Sequence, residues 1–195
     1  MGRLLDYLEE KGVLDNTVIV YTSDQGFLLG EHGLYDKRFM YEESFRTPLI
    51  ISCPSLVKKH SVCKELVQNI DLAPTFLSLA GVEVPKEMSG RSLLPLFKNG
   101  KAENWRNELY YHFYDYPAVG SVRKHDGIRT KRYKLIHWHG EGSGNDEAID
   151  FWELYDLKKE VMEVKNVYDN PKYVKVREAL TVQLEKLRKD VGVTE

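Results

Sequence analysis

Thr17-Val18-Ile19-Val20-Tyr21-Thr22-Ser23-Asp24-Gln25-Gly26 is the stretch on which the fold class turns. Its first six residues are a nearly continuous β-branched run, the composition of a strand buried on both faces, as in parallel sheets. Its last four are small or polar and sit at the strand's carboxyl end, the edge where open α/β sheets bind ligands. Upstream, Leu4, Leu5 and Leu8 recur at helical spacing, and Gly12 stands where a C′ residue ends a helix, so residues 2–11 read as an amphipathic helix. Met1 and Gly2 are weak N-caps, and the helix opens abruptly. Helix, Asp15-Asn16 turn and strand together make half of a βαβ unit.

Downstream, Pro48-Leu49-Ile50-Ile51-Ser52-Cys53 is a second apolar strand, closed by a Pro54-Ser55 turn. Asp71 is placed to cap a helix over Leu72 to Ala80, with Pro74 in its first turn and Gly81 after its end. The α/β portion closes near residue 100, after Gly90 to Phe97. From about residue 105 the texture turns aromatic, with strand character over Leu109 to Tyr114, Gly127 to His139 and Trp152 to Asp156. Arg132 to Trp138 alternates as an antiparallel strand with one covered face does, and Gly140 to Asn145 is a flexible loop. A final helix begins near Pro171, with Tyr173, Val176, Leu180, Leu184 and Leu187 on one face. The expected architecture is α/β, a sheet-and-helix domain over 1–104 followed by a small α+β subdomain over 105–195 with an antiparallel sheet and one long helix.

The 28 Lys and Arg against 30 Asp and Glu leave a formal charge of −2, which argues against nucleic-acid binding through a basic surface. Hydrophobic residues at 42% and charged residues at 30% are the balance of a packed globular chain. No apolar run reaches the roughly 18 residues of a membrane span, and the first residues lack the apolar stretch of a signal peptide. Cys53 and Cys63 have no CxxC spacing and read as free thiols.

The densest polar constellation runs from Ser23 to Arg46. Asp24 and Gln25 place two hard oxygen donors at a strand end, which suits Ca²⁺ or Mg²⁺ better than zinc, although either cation needs about six donors. On composition alone an Asx-type turn ending the strand is the plainer reading. Lys37-Arg38 follows a loop punctuated by Gly26, Gly30 and Gly33, and a lysine there can face an anionic group such as sulfate or phosphate, or lie solvated. His32 reads as a structural donor. His137 and His139 bracket Trp138 on one side of a strand, a spacing that can bind zinc, but no third ligand stands nearby in the sequence, and structural histidines are the plainer reading. Tyr110, Tyr111, Phe113, Tyr114 and Tyr116 could stack on sugar rings or fill the core of a small sheet.

Thr22-Ser23-Asp24-Gln25-Gly26-Phe27, then Gly30-Glu31-His32-Gly33-Leu34-Tyr35-Asp36-Lys37-Arg38 and its continuation through Ile50, resembles the second half of the formylglycine-dependent sulfatases of the alkaline phosphatase superfamily. Asn69-Ile70-Asp71-Leu72-Ala73-Pro74-Thr75 and Glu153-Leu154-Tyr155-Asp156-Leu157 are similar to that family in the same order. Tyr111 to Pro117 with Arg123 to Thr130 further resembles the branch that acts on glucosamine 6-sulfate groups of glycosaminoglycans. The resemblance implies a truncated alkaline-phosphatase-like sheet, with Asp24 and Gln25 as one pair of calcium ligands, Lys37 on the substrate sulfate and His125 reaching the sugar. Gln25 departs from the commoner Asn or His and keeps an amide oxygen.

The resemblance also implies what these residues lack. Sulfatases of this type use a formylglycine made from a Cys/Ser-x-Pro/Ala-x-Arg motif, and Cys53-Pro54-Ser55-Leu56-Val57 has neither the spacing nor the Arg. The Asp pair that completes the calcium site and the first-half Lys and His are absent as well. The expectation is a sulfatase portion acting on sulfated glycans, inactive without the N-terminal half as its partner, with export, to the periplasm or lysosome, implied for full-length members. The alternative is a non-catalytic remnant that binds a sulfated glycan. A phosphoesterase is disfavoured by the order of motifs.

Overall fold

The computed structural model describes residues 1–117, 122–144 and 146–193. Its residues pack into two compact units, one of 1–24 with 48–106, the other of 25–47 with 107–195. Packing thus groups the chain differently from a single cut at 104/105, because residues 25–47 join the C-terminal sheet.

In the first unit, α1 (Gly2–Glu10) has no side-chain cap and buries none of its residues, and Gly12 follows at φ +67°. The β-branched run forms β1 (Ile19–Thr22), and the second apolar run forms β4 (Leu49–Ser52). They pair with each other, Ile19 opposite Ser52 and Thr22 opposite Leu49, as an antiparallel two-stranded ribbon. This corrects the expectation of a parallel strand buried on both faces. β-Branching specified an extended backbone, but burial depends on neighbouring layers, and every residue of the ribbon is exposed or half-buried. The unit's core is Leu93, Leu96 and Phe97, packed by Leu49, Ile51, Leu72, Leu79 and Trp105, between α3 (Leu72–Leu79) and α4 (Leu94–Phe97).

Asp71 stands at the N-cap of α3, but its side chain makes no capping bond to that helix, contrary to expectation; it closes a capping box with Gln68 on the preceding turn and is held by donors from elsewhere. Its Oδ2 accepts from Gln68 N at 2.8 Å, its Oδ1 from Arg91 N at 2.8 Å, and Arg106 clamps both oxygens at 2.5 and 2.7 Å. The carboxylate is fully buried, so these donors are what make its burial tolerable. Gly90 passes so close to Ile70 that a Cβ would lie 2.0 Å from its carbonyl oxygen. Cys53 and Cys63 are both free thiols, the first buried and the second exposed.

The second unit is built on a four-stranded antiparallel meander, β5 (Glu108–Phe113), β6 (His125–Thr130), β7 (Tyr133–Gly140) and β8 (Ile149–Asp156). The expected single segment from Gly127 to His139 is two strands. Thr130 Oγ1 accepts from Tyr133 N at 2.9 Å and donates to Tyr133 O at 3.1 Å, closing a tight turn without glycine or proline. One face of the sheet carries α5 (Val174–Asp190), whose Leu180 and Leu184 pack on Ile128, Leu135 and Leu154. The other face carries the 25–47 segment: β2 (Leu28–Leu29) paired with β3 (Tyr35–Asp36), then α2 (Glu42–Phe45). Leu28, Met40 and Tyr41 from that segment pack on Ile136, Trp138 and Tyr155. Both faces being covered, Ile128, Leu135, Ile136 and Leu154 are completely buried.

Asn145, at the end of the expected Gly140 to Asn145 loop, lies outside the described residues. Among the described residues no helix is long and apolar enough to cross a membrane.

Candidate functional site

Each candidate residue is placed by a specific local device. Ser23-Asp24 follows β1 directly, and the Asp24 main chain is anchored by Asn69, whose Nδ2 donates to the Asp24 carbonyl. The Asp24 carboxylate is exposed and takes a long 3.3 Å contact from Ser23 Oγ. Gln25, half-buried, is the first residue of the second unit, so the division between units falls within the pair. The donor chemistry fits a hard cation, one anionic and one amide oxygen, and covers about a third of what calcium requires.

The chain bends at Asp24. Gly26 N donates to Ser44 O at 2.8 Å, and a Cβ at residue 26 would stand 1.9 Å from the Glu43 carbonyl oxygen, so only glycine fits here. His32 adopts φ +55°, stacks on Tyr41 with ring centroids 4.2 Å apart, and brings Nε2 to 3.4 Å from Glu43. The ring packs and faces a carboxylate, but Nε2 makes no hydrogen bond among the described residues, so the expected donor role is not seen.

Lys37 is held by its neighbours on both sides. Asp36 accepts from Lys37 N and from the Arg38 guanidinium, each at 2.5 Å, while Ser44 Oγ donates to Lys37 O and Tyr111 OH donates to Arg38 O at 2.7 Å. The backbone of Asp36-Lys37-Arg38 is therefore pinned to α2 and β5. Lys37 itself is half-buried, and its ammonium has no ion-pair or hydrogen-bond partner among the described residues. Burial pushes the Tyr111 phenol up to about 12, so it stays protonated as a donor at neutral pH.

His125 differs from a solvent-facing group at a strand end. It is fully buried, stacked on Trp138 at 4.1 Å, with the rings of Tyr111 and Phe113 at 5.5 and 5.7 Å. Its Nδ1 is 2.9 Å from the Arg123 carbonyl, which can only accept, so Nδ1 carries the proton. Nε2 is then a bare acceptor, without a partner among the described residues. Burial pushes the imidazole down to about 4 and keeps it neutral. Of the aromatics, Tyr111 joins the core, Tyr110 OH donates to Asp126 at 3.1 Å, and Tyr114 is exposed.

Behind this wall lies an ionic cluster that spacing alone does not reveal. Lys134 is completely buried, with Nζ 2.9 Å from Glu42 and 2.6 Å from Glu163. Arg129 also pairs with Glu42 at 3.3 Å, and Glu163 Oε2 accepts from Glu42 N at 2.6 Å. Burial raises the Glu163 carboxyl beyond what Lys134 can offset. At Glu42 burial acts the same way, but Lys134 and Arg129 together outweigh it and hold the group low. The alternation of β7 would place Lys134 on a covered face, the one signal that could have marked it.

Comparison with known proteins supplies the family. Residues 30–190 match the family model described as N-sulphoglucosamine sulphohydrolase, C-terminal. The chain is 51% identical over 191 residues to an N-acetylglucosamine-6-O-sulfatase of Bacteroides thetaiotaomicron, covering 97% of this chain and 33% of that protein. It is 40% identical over 113 residues to human N-acetylglucosamine-6-sulfatase, covering 57% of this chain and 20% of the human protein. A solved structure in complex with its substrate, D-glucosamine-2-N,6-O-disulfate, superposes with a TM-score of 0.88 at 51% identity, over 96% of this chain and 37% of that one. The chain spans between a fifth and just over a third of the length of these relatives. With a family model matched over most of its residues and an α/β architecture shared with sulfatases of known structure, the chain belongs to the sulfatase family, in the N-sulphoglucosamine sulphohydrolase C-terminal group.

Proposed function

We propose that this chain supplies the C-terminal part of a sulfatase that hydrolyses 6-O-sulfate esters of glucosamine units in glycosaminoglycan-type chains, and that it does not turn over substrate without an N-terminal partner half. The observation that carries the proposal is Lys37: a cation pinned by its main chain, half-shielded from water, and without a counter-ion among the described residues. Such a group is suited to a sulfate, whose charge it would partly neutralise as the ester bond breaks. Likeness to an enzyme named for glucosamine 6-O-sulfate, and to a structure complexed with a 6-O-sulfated glucosamine, supports the substrate class.

Asp24 and Gln25 are the residues of this chain that would hold a Ca²⁺ ion, with the remaining ligands supplied by the partner half. Calcium bound there would lower the cost of charge on the sulfate oxygens. Lys37 orients and neutralises the sulfate. The Asp36–Arg38 pair keeps the Lys37 backbone in register. His125 is assigned to the sugar side by family likeness: with Nδ1 committed to the Arg123 carbonyl, Nε2 serves only as an acceptor, suited to a sugar hydroxyl and not to a sulfate oxygen, and because the ring is fully enclosed the aromatic side chains around it must part for a sugar to reach it. Export of the full-length protein is part of the same proposal.

The experiment is complementation. Alone, the chain should release no sulfate from glucosamine 6-sulfate. Co-expressed with an N-terminal sulfatase half whose Cys is matured to formylglycine, it should recover activity, and Lys37→Ala should then cost on the order of 2–4 kcal/mol of transition-state stabilisation, roughly 30- to 1000-fold in rate. His125→Ala should mainly affect glycan substrates and spare small aryl sulfates. A reassembled Lys37→Ala enzyme of full activity defeats the proposal. A non-catalytic reading gains if the chain alone retains sulfated glycans while no partner half restores turnover.

A further inference from the structure

Away from Lys37, on the α5 face of the sheet, the register of β6 and β7 sets Asp126 opposite His137, and His139 lies two residues further along the same face. One ligand atom from each, a carboxylate oxygen and two imidazole nitrogens, lies within 4.8 Å of the others. This is the third ligand that the neighbouring sequence of His137 and His139 does not contain. Among them sits Arg188 of α5, with Nε 2.6 Å from Asp126 Oδ2, one terminal nitrogen 2.6 Å from Asp126 Oδ1, and the same nitrogen 2.9 Å from His137 Nδ1.

We propose that Asp126, His137 and His139 form a binding site for a divalent transition metal, Zn²⁺ in the first instance, which enters in exchange for the Arg188 guanidinium. Guanidinium can only donate, so His137 Nδ1 presents its lone pair toward the centre. His137 Nε2 carries the proton and donates it to Asp150 Oδ1 at 2.9 Å. A carboxylate on the far nitrogen is the arrangement that orients metal-binding histidines and raises their basicity. Tyr110 OH likewise donates to Asp126 Oδ2 at 3.1 Å. Two imidazoles and a carboxylate are a zinc donor set, with water left for the fourth position.

The exchange keeps a cation beside the carboxylate and adds one positive charge to the cluster. Asp126 is 1% exposed and must keep a cation beside it, and a metal ion replaces one cation by another. The displaced Arg188 is not stranded, because its other terminal nitrogen already pairs with Glu185 at 2.5 Å. The His137 and His139 side chains are 16% and 17% exposed, so the ion has a way in. Ligand atoms in a tetrahedral zinc site stand about 3.3 Å apart, so the three groups must draw together once the guanidinium leaves.

The test is titration of the full, untagged chain with Zn²⁺ by calorimetry and with Co²⁺ by visible absorption. The wild type should bind one ion with a tetrahedral Co²⁺ band. His137→Ala and His139→Ala should each weaken binding about 10-fold or more. Arg188→Gln, which removes the competitor, should strengthen it about 10-fold, and millimolar Ca²⁺ should not displace the ion. Absence of the Co²⁺ band in both wild type and Arg188→Gln overturns the site, as does binding undiminished in the His137→Ala/His139→Ala double variant. Equal affinity of Arg188→Gln and wild type overturns the exchange. Should Arg188→Gln fail to fold, wild type against His139→Ala decides the matter.

Discussion

The ribbon of the first unit and the meander of the second are made of equally apolar strands and are buried to very different degrees. Ile19-Val20 and Leu135-Ile136 would score alike on any hydropathy scale, yet Leu135 and Ile136 are completely enclosed while Ile19 and Val20 are only half-buried. On β4, Ile50 is 62% exposed. The meander has α5 on one face and the 25–47 segment on the other, whereas the ribbon has two strands and a partial cover. Strand composition determines that a segment is extended; the number of layers around it determines what the segment contributes to stability.

The comparison breaks most visibly at Lys134. Lys134→Ala leaves Glu163 buried without its cation and should destabilise the second unit by about 3–5 kcal/mol in urea denaturation, with native-state amide exchange over 133–140 accelerated far more than over 19–22. Uniform acceleration in both segments would show that the units unfold together. Next in size, Leu154→Ala removes a fully buried side chain shared by the meander and α5, at a cost of about 3 kcal/mol by the same assay.

A third test uses acid. Burial holds the folded His125 near 4, below an unfolded value of about 6.5, so the unfolded chain binds the extra proton between those two pH values. Stability from this group is complete above pH 6.5 and is lost as pH falls toward 4, on the order of 2–3 kcal/mol in total. His125→Gln should flatten that part of the pH profile, and an unchanged slope would place the titration elsewhere. The smallest effect belongs to the ribbon: Ile50→Thr keeps β-branching and replaces an exposed ethyl group by a hydroxyl, so the urea midpoint should shift by less than about 0.5 kcal/mol equivalent. A larger loss would mean that the ribbon is covered in solution, for instance by a second copy of the chain.

Much of this fold was legible, residue by residue. Leu4, Leu8 and Gly12 marked α1, Pro171 with Leu180 and Leu184 marked α5, and the alternation of Arg132 to Trp138 marked β7. The turn between β6 and β7 was not, because its signal is a threonine hydroxyl in place of a Gly or Pro. Missing that turn hid the pairing of Asp126 with His137, since hairpin register follows from turn position. Family likeness pointed to Asp24, Gln25, Lys37 and His125, but not to the enclosure of His125, which depends on rings from Phe39 through Trp138 arriving by tertiary packing.

The interleaving of the units has a practical side for anyone cutting this gene. Residues 25–47 leave the first unit and return to it, so the chain crosses between the units three times, near residues 24, 47 and 106. A plasmid encoding 107–195 alone would discard Leu28, Met40 and Tyr41 and produce a sheet with one oily side wetted, prone to inclusion bodies. A usable minimal domain would instead splice 25–47 to 107–195 through a designed linker, an order of segments that nature did not write but that the packing already obeys.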